Sequence, residues 1–127
     1  MNILDEDIGY SQRQRLEKWK IHFRQIGMEI GYSGMKDRNE IIPLLHSLRR
    51  PTFSLDRGFY HPTLRHHGYC LVHLDVWNDE AADYIRRFLR HPSFRTQAQR
   101  LGKIVRVRHS GLSWWEAGGR VERAISW

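Results

Sequence analysis

Apolar positions in this chain come in short runs, and the way each run ends predicts the element it forms. Ile3-Leu4 after Asn2 reads as a short buried strand that delivers Asp5 to its end. Gly9 opens a helical stretch over about 11–18 whose large apolar residues are Leu16 and, just beyond, Trp19. Lys20-Ile21-His22-Phe23 alternates polar and apolar, the period of a half-buried second strand. Three glycines between Gly27 and Gly34 predict a loop. Ile41, Ile42, Leu44, Leu45 and Leu48 then fall on one helical face, with Pro43 tolerable in the first turn if Asn39 is the cap.

The second half continues the alternation. Thr52-Phe53-Ser54-Leu55 is a compact strand ending at Asp56, and a His-, Arg- and Pro-rich loop over 57–68 follows it. Tyr69 to Leu74 is the clearest strand and ends at Asp75. Asn78 is the expected N-cap of a helix carrying Ala82, Ile85, Phe88 and Leu89 on one face and Arg86, Arg87 and Arg90 on the other, stopped by Pro92. A short helix over 94–101, a strand over 103–108 and terminal strands or a hairpin around Gly118-Gly119 complete the chain. Strands alternating with helices predict an α/β fold with a central, mostly parallel sheet flanked by helices. At 127 residues one domain over 1–127 is expected, with 1–75 carrying the acidic words and 76–127 the basic helix and terminal strands.

Charge sharpens this division. Of the formal +7, residues 1–83 hold 11 Lys+Arg against 12 Asp+Glu, while residues 84–127 hold 10 against Glu116 and Glu122. An acidic half joined to a strongly basic one suits a polyanion gripped by arginines; a plain solvated basic surface is the bland alternative. The single cysteine, Cys70, lies in an apolar stretch and forms no internal bridge, which fits a reducing compartment. No run is long and apolar enough to span a bilayer, so a cytoplasmic protein without a membrane partner is expected.

The chemistry sits in Asp5-Glu6-Asp7, Asp37-Arg38-Asn39-Glu40 and Ser54-Leu55-Asp56. In an open α/β sheet the carboxyl ends of neighbouring strands line one crevice, and ligands bind there. Aspartates gathered in such a crevice repel one another and call for a hard divalent cation, a metal-dependent site for phosphate chemistry. Asp37-x-x-Glu40 also reads as a capping box, and Asp75 as an ordinary turn residue. His61, His66 and His67 fall in one loop but match no zinc-binding spacing. Trp114 and Trp115 could stack bases, although alternation sends at least one into the core, which leaves Tyr60 the better base contact.

Asp5-Glu6-Asp7 after the first strand, with Ser54-Leu55-Asp56-Arg57-Gly58-Phe59 closing a later one, resembles the PIN-like nuclease family, in particular short PIN-like proteins related to VapC-type ribonuclease toxins. Asp37 with Glu40 falls where that family places an acidic residue at the head of a helix. The resemblance covers about residues 1–75. It implies a single PIN-like three-layer domain acting as a metal-dependent ribonuclease, plausibly a toxin with an antitoxin partner. Two Mg²⁺ or Mn²⁺ ions would be held by Asp5, Asp56 and Asp37 or Glu40, with Asp7 in support. Where the family has a further Asp this chain has Gly58, and Asp75 is the residue that could fill the gap. Arg57, Tyr60, Arg86, Arg87, Arg90, Lys103, Arg106 and Arg108 are the expected RNA contacts, and a homodimer is a further expectation. A degenerate PIN-like module that binds RNA or a protein without cutting is the alternative, with Gly58 its best support. Asp5-x-Asp7 also resembles the nucleophile word of haloacid-dehalogenase-type phosphatases, but Gly9 stands where that word expects Thr or Val. A receiver-like phosphoacceptor role for Asp56 is possible from the same geometry.

Overall fold

A computed structural model describes residues 1–35 and 40–127. Seven strands form one sheet in the order β2-β1-β3-β4-β5-β6-β7: β1 Asn2–Leu4, β2 Phe23–Gln25, β3 Pro51–Ser54, β4 Cys70–Asp75, β5 Lys103–Arg108, β6 Gly111–Glu116 and β7 Arg123–Ser126. The sheet is mixed: β2 to β5 pair parallel across β1, whereas β5-β6 and β6-β7 are antiparallel. The chain leaves β1 toward β2 on one side and then crosses to β3 on the other. The strand order therefore reverses between β1 and β3.

Both sheet faces are covered by helices. Helices α1 (Tyr10–Lys18) and α3 (Ala81–Arg90) close one face, where Leu16, Ile85 and Phe88 meet Leu4, Phe53, Val72, Val105 and Val107. Phe88 packs edge-on against Phe53 and stacks on Phe94, whose ring meets Trp114. Helix α2 (Ile42–Leu48) covers the other face, where Ile41 and Leu45 pack with Ile3, Leu71 and Ile104. A four-residue helix, α4 (Gln97–Arg100), precedes β5, capped by the Thr96 hydroxyl accepting from the Gln99 amide.

Most expected elements form, and several ends move. Lys20 has a positive φ of 59°, which ends the α1 turn and starts β2 at Phe23 instead of Lys20. Asn78 is not the cap of α3. A single 3-10 turn over Asn78–Glu80 precedes the helix, and the Glu80 carboxylate reaches back to the Trp77 amide at 3.0 Å. Pro43 is accommodated in the first turn of α2, where its missing amide has no helical partner to lose. Asn39, expected to cap α2, lies outside the described residues. The hairpin around Gly118-Gly119 forms between β6 and β7, its turn marked by the Gly119 amide donating to the Glu116 carbonyl at 2.9 Å. Among the described residues, no helix is long and apolar enough to cross a membrane.

Candidate metal centre

The acidic words meet where the strand order reverses. Asp5 follows β1 directly and is 8% exposed, with its amide bonded to the Phe53 carbonyl at 2.9 Å. That bond sets Asp5 beside Ser54, the last residue of β3. The Ser54 hydroxyl lies 2.7 Å from Asp5 Oδ2 and 3.1 Å from Asp7 Oδ2, and it accepts the Asp56 amide at 3.0 Å. Asp5 Oδ1 takes the Glu6 amide, Asp7 Oδ2 takes the Leu55 amide, and Asp56 Oδ1 takes the Gly58 amide. One hydroxyl thus ties three aspartates together.

The protonation of this cluster follows from counting protons. A hydroxyl donates once and accepts twice. Ser54 donates to Asp5, its nearer neighbour, and accepts from the Asp56 amide. Its longer contact with Asp7 competes for the same proton. Burial, and then the Asp5 charge, push the Asp7 carboxyl up to about 6, against the pull of the Leu55 amide and Ser54. Burial also raises Asp5, and Ser54 and the Glu6 amide offset part of that rise. Among the described residues, no Lys, Arg or His forms an ion pair with Asp5, Asp7 or Asp56.

The side-chain atoms of the cluster are carboxylate and hydroxyl oxygens, the donor type hard cations prefer, and Asp7 Oδ1 and Asp56 Oδ2 accept no hydrogen bond from the described residues. Among the described residues, no three His, Cys, Asp or Glu side chains form a group that could hold a metal ion. Asp37 lies outside the described residues, and Glu40 stands just before α2, which packs on the sheet face that carries Asp5.

The remaining expected residues are dispersed. Asp75 ends β4, two strands from Asp5, and is ion-paired with Arg106 at 2.6 Å, which holds its carboxyl below the usual range. The pair engages one Asp75 oxygen with the Nε and one terminal nitrogen of Arg106. Tyr60 donates from its hydroxyl toward Glu122 at 2.7 Å and meets Ser113 at 3.0 Å, so its polar end is already engaged. The Arg86 guanidinium stacks 3.7 Å over Trp19 and Arg87 4.3 Å over Trp127, both on the sheet face covered by α1 and α3. Lys103 bonds the Gln99 carbonyl, and Arg90 is exposed at the end of α3. Arg57 is exposed beside Asp56, and Arg108 lies at the end of β5.

Two features escaped the sequence. His73 pairs in register with Ser54 on one side and Arg106 on the other, is 4% exposed, and has an Nδ1 without a hydrogen-bond partner. Burial lowers its pKa. Thr52, on the same sheet face as Ser54, is also buried with an unpartnered hydroxyl. Their alternation along β3 and β4 is the signal the sequence carries for them. Compared with protein-family models, curated proteins and solved structures, the chain matches none of them.

Proposed function

We propose that this chain is a PIN-like, divalent-metal-dependent ribonuclease whose metal is held by Asp5, Asp7 and Asp56, with Asp37 or Glu40 completing the set. The observation that carries this reading is the Ser54-bridged aspartate cluster at the reversal between β1 and β3, with no Lys, Arg or His ion-paired to it among the described residues. That reversal is where open α/β sheets bind ligands. The helices on both sheet faces agree with a PIN-like three-layer arrangement, while β6 and β7 add an antiparallel extension to it. Mg²⁺ or Mn²⁺ bound there supplies Lewis-acid polarisation of a phosphodiester and a nucleophilic water at neutral pH. Ser54 orients Asp5, and Gly58 fixes Asp56 through its amide. Arg57 and Arg108 stand nearest the carboxyl edge for the RNA backbone. A toxin role, with an antitoxin as partner and a homodimer as the active form, accords with the family resemblance.

A second reading is favoured by Gly58 and by the incomplete cage among the described residues: a module that binds RNA or a partner protein and does not cut. A Cβ at position 58 would stand 3.1 Å from Asp56 Oδ1, so a side chain there would require the Asp56 carboxylate to shift. The two readings separate on a pool of single-stranded and structured RNA incubated with Mn²⁺ or Mg²⁺. Metal-dependent cleavage that falls at least ~100-fold in Asp5→Asn supports the nuclease. Cleavage that survives Asp5→Asn rejects this site. RNA binding without cleavage selects the binding module.

A further inference from the structure

Trp77 is 72% exposed, although tryptophan is on average among the most buried residue types. It stands on the loop between β4 and α3 and is not loose there. Its amide donates to Glu80 Oε1 at 3.0 Å, its carbonyl accepts the Glu80 amide at 2.9 Å, and the same Glu80 oxygen holds His109 Nε2 at 2.7 Å. One carboxylate therefore fixes the indole-bearing loop to the β5-β6 turn. Between them opens a pocket of about 410 Å³ lined by Asp75, Val76, Trp77, Arg108, His109 and Ser110. That volume is in the range of small-ligand sites.

The acidic groups at the pocket are already engaged: Asp75 is ion-paired with Arg106, and Glu80 holds His109. Arg108, beside Asp75 in the strand register, forms no ion pair among the described residues, and its Nε is buried without a hydrogen bond. A flat exposed indole beside a guanidinium with unused donors suits a base and its phosphate. The pocket opens at the carboxyl ends of β4 and β5, the edge that also carries Asp56. Two strand spacings separate β3 from β5, about 10 Å.

We propose that this pocket is a nucleotide subsite for a single-stranded RNA: Trp77 stacks one base and Arg108 meets its phosphate. The proposal rests on RNA as the substrate class and locates where the strand lies relative to the metal centre. Its test is fluorescence anisotropy of a short fluorescein-labelled single-stranded RNA, in chelator so that nothing is cut, with adenosine monophosphate measured in parallel. Trp77→Ala should weaken RNA binding about tenfold, and Trp77→Phe should restore most of it, as expected for stacking. Arg108→Gln should lower the slope of log affinity against log salt by about 0.7, one phosphate contact. Because Trp77 is exposed, Trp77→Ala should keep the native circular dichroism spectrum and unfolding midpoint.

Native RNA affinity in Trp77→Ala overturns the proposal. So does a loss confined to adenosine monophosphate, which would mark a free-nucleotide site in place of a strand subsite. The hydrolase reading fails separately. Trp77-dependent RNA binding without metal-dependent cleavage removes the nuclease and keeps the subsite, whereas cleavage by a protein indifferent to Trp77→Ala does the reverse.

Discussion

At the scale of single residues, Ser54 decides how the acidic cluster behaves. Its one proton serves two carboxylates, Asp5 at 2.7 Å and Asp7 at 3.1 Å, so it offsets only part of the rise to about 6 that burial and the Asp5 charge give Asp7. The consequence for stability has a definite sign. A carboxyl whose folded pKa exceeds its unfolded value favours folding below the unfolded pKa, near 3.9, and that contribution is lost as pH rises through about 6. Asp7→Asn should therefore stabilise the metal-free protein at pH 7.5 and lose that advantage below pH 4. Asp7 as a whole is exposed, so solvent screening limits the gain to about 1 kcal/mol. Urea unfolding at the two pH values checks this, and an equal shift at both would contradict it. Asp5 and Asp56 were legible as candidates because each follows an apolar strand. The bridging role of Ser54 was not, because it depends on β1 and β3 lying side by side.

Individual elements explain which expectations survived. Helix α3 was readable from its apolar face alone, since Ala82, Ile85 and Phe88 recur at helical spacing. Its arginines were not, because stacking of Arg86 on Trp19 depends on α1 packing beside α3. The stretch at 20–23 misled because its alternation is real, but Lys20 adopts a left-handed turn that closes α1. The loop after β2 is shaped by Gly27, whose φ is +87° and where a Cβ would stand 2.7 Å from Glu6 Oε1. That Glu6 oxygen accepts the Gly34 amide at 2.6 Å, so the loop is folded onto the residue between Asp5 and Asp7. Gly27→Ala should cost about 1–2 kcal/mol from the left-handed backbone. The measurement is again the urea midpoint, and an unchanged midpoint would show that the loop conformation is not held.

For the whole molecule, alternation of strands and helices made the α/β class legible, while the strand order that builds the site was not. Pairing of β1 with both β2 and β3 joins segments separated by some twenty to fifty positions, and no local pattern encodes it. The same reversal gathers carboxylates that repel one another, and on the proposed reading a divalent cation bound there would relieve that repulsion. A ligand that binds only the folded state stabilises it by RT ln(1 + [L]/Kd), about 2.7 kcal/mol at a hundredfold excess over Kd. The most direct measurement is therefore the unfolding midpoint at pH 7.5 as Mn²⁺ is titrated into the native protein and into Asp5→Asn. A saturable rise in the native protein that is absent in Asp5→Asn is the expected result. A flat native response, or equal rises in both proteins, would contradict a metal centre at the β1-β3 reversal.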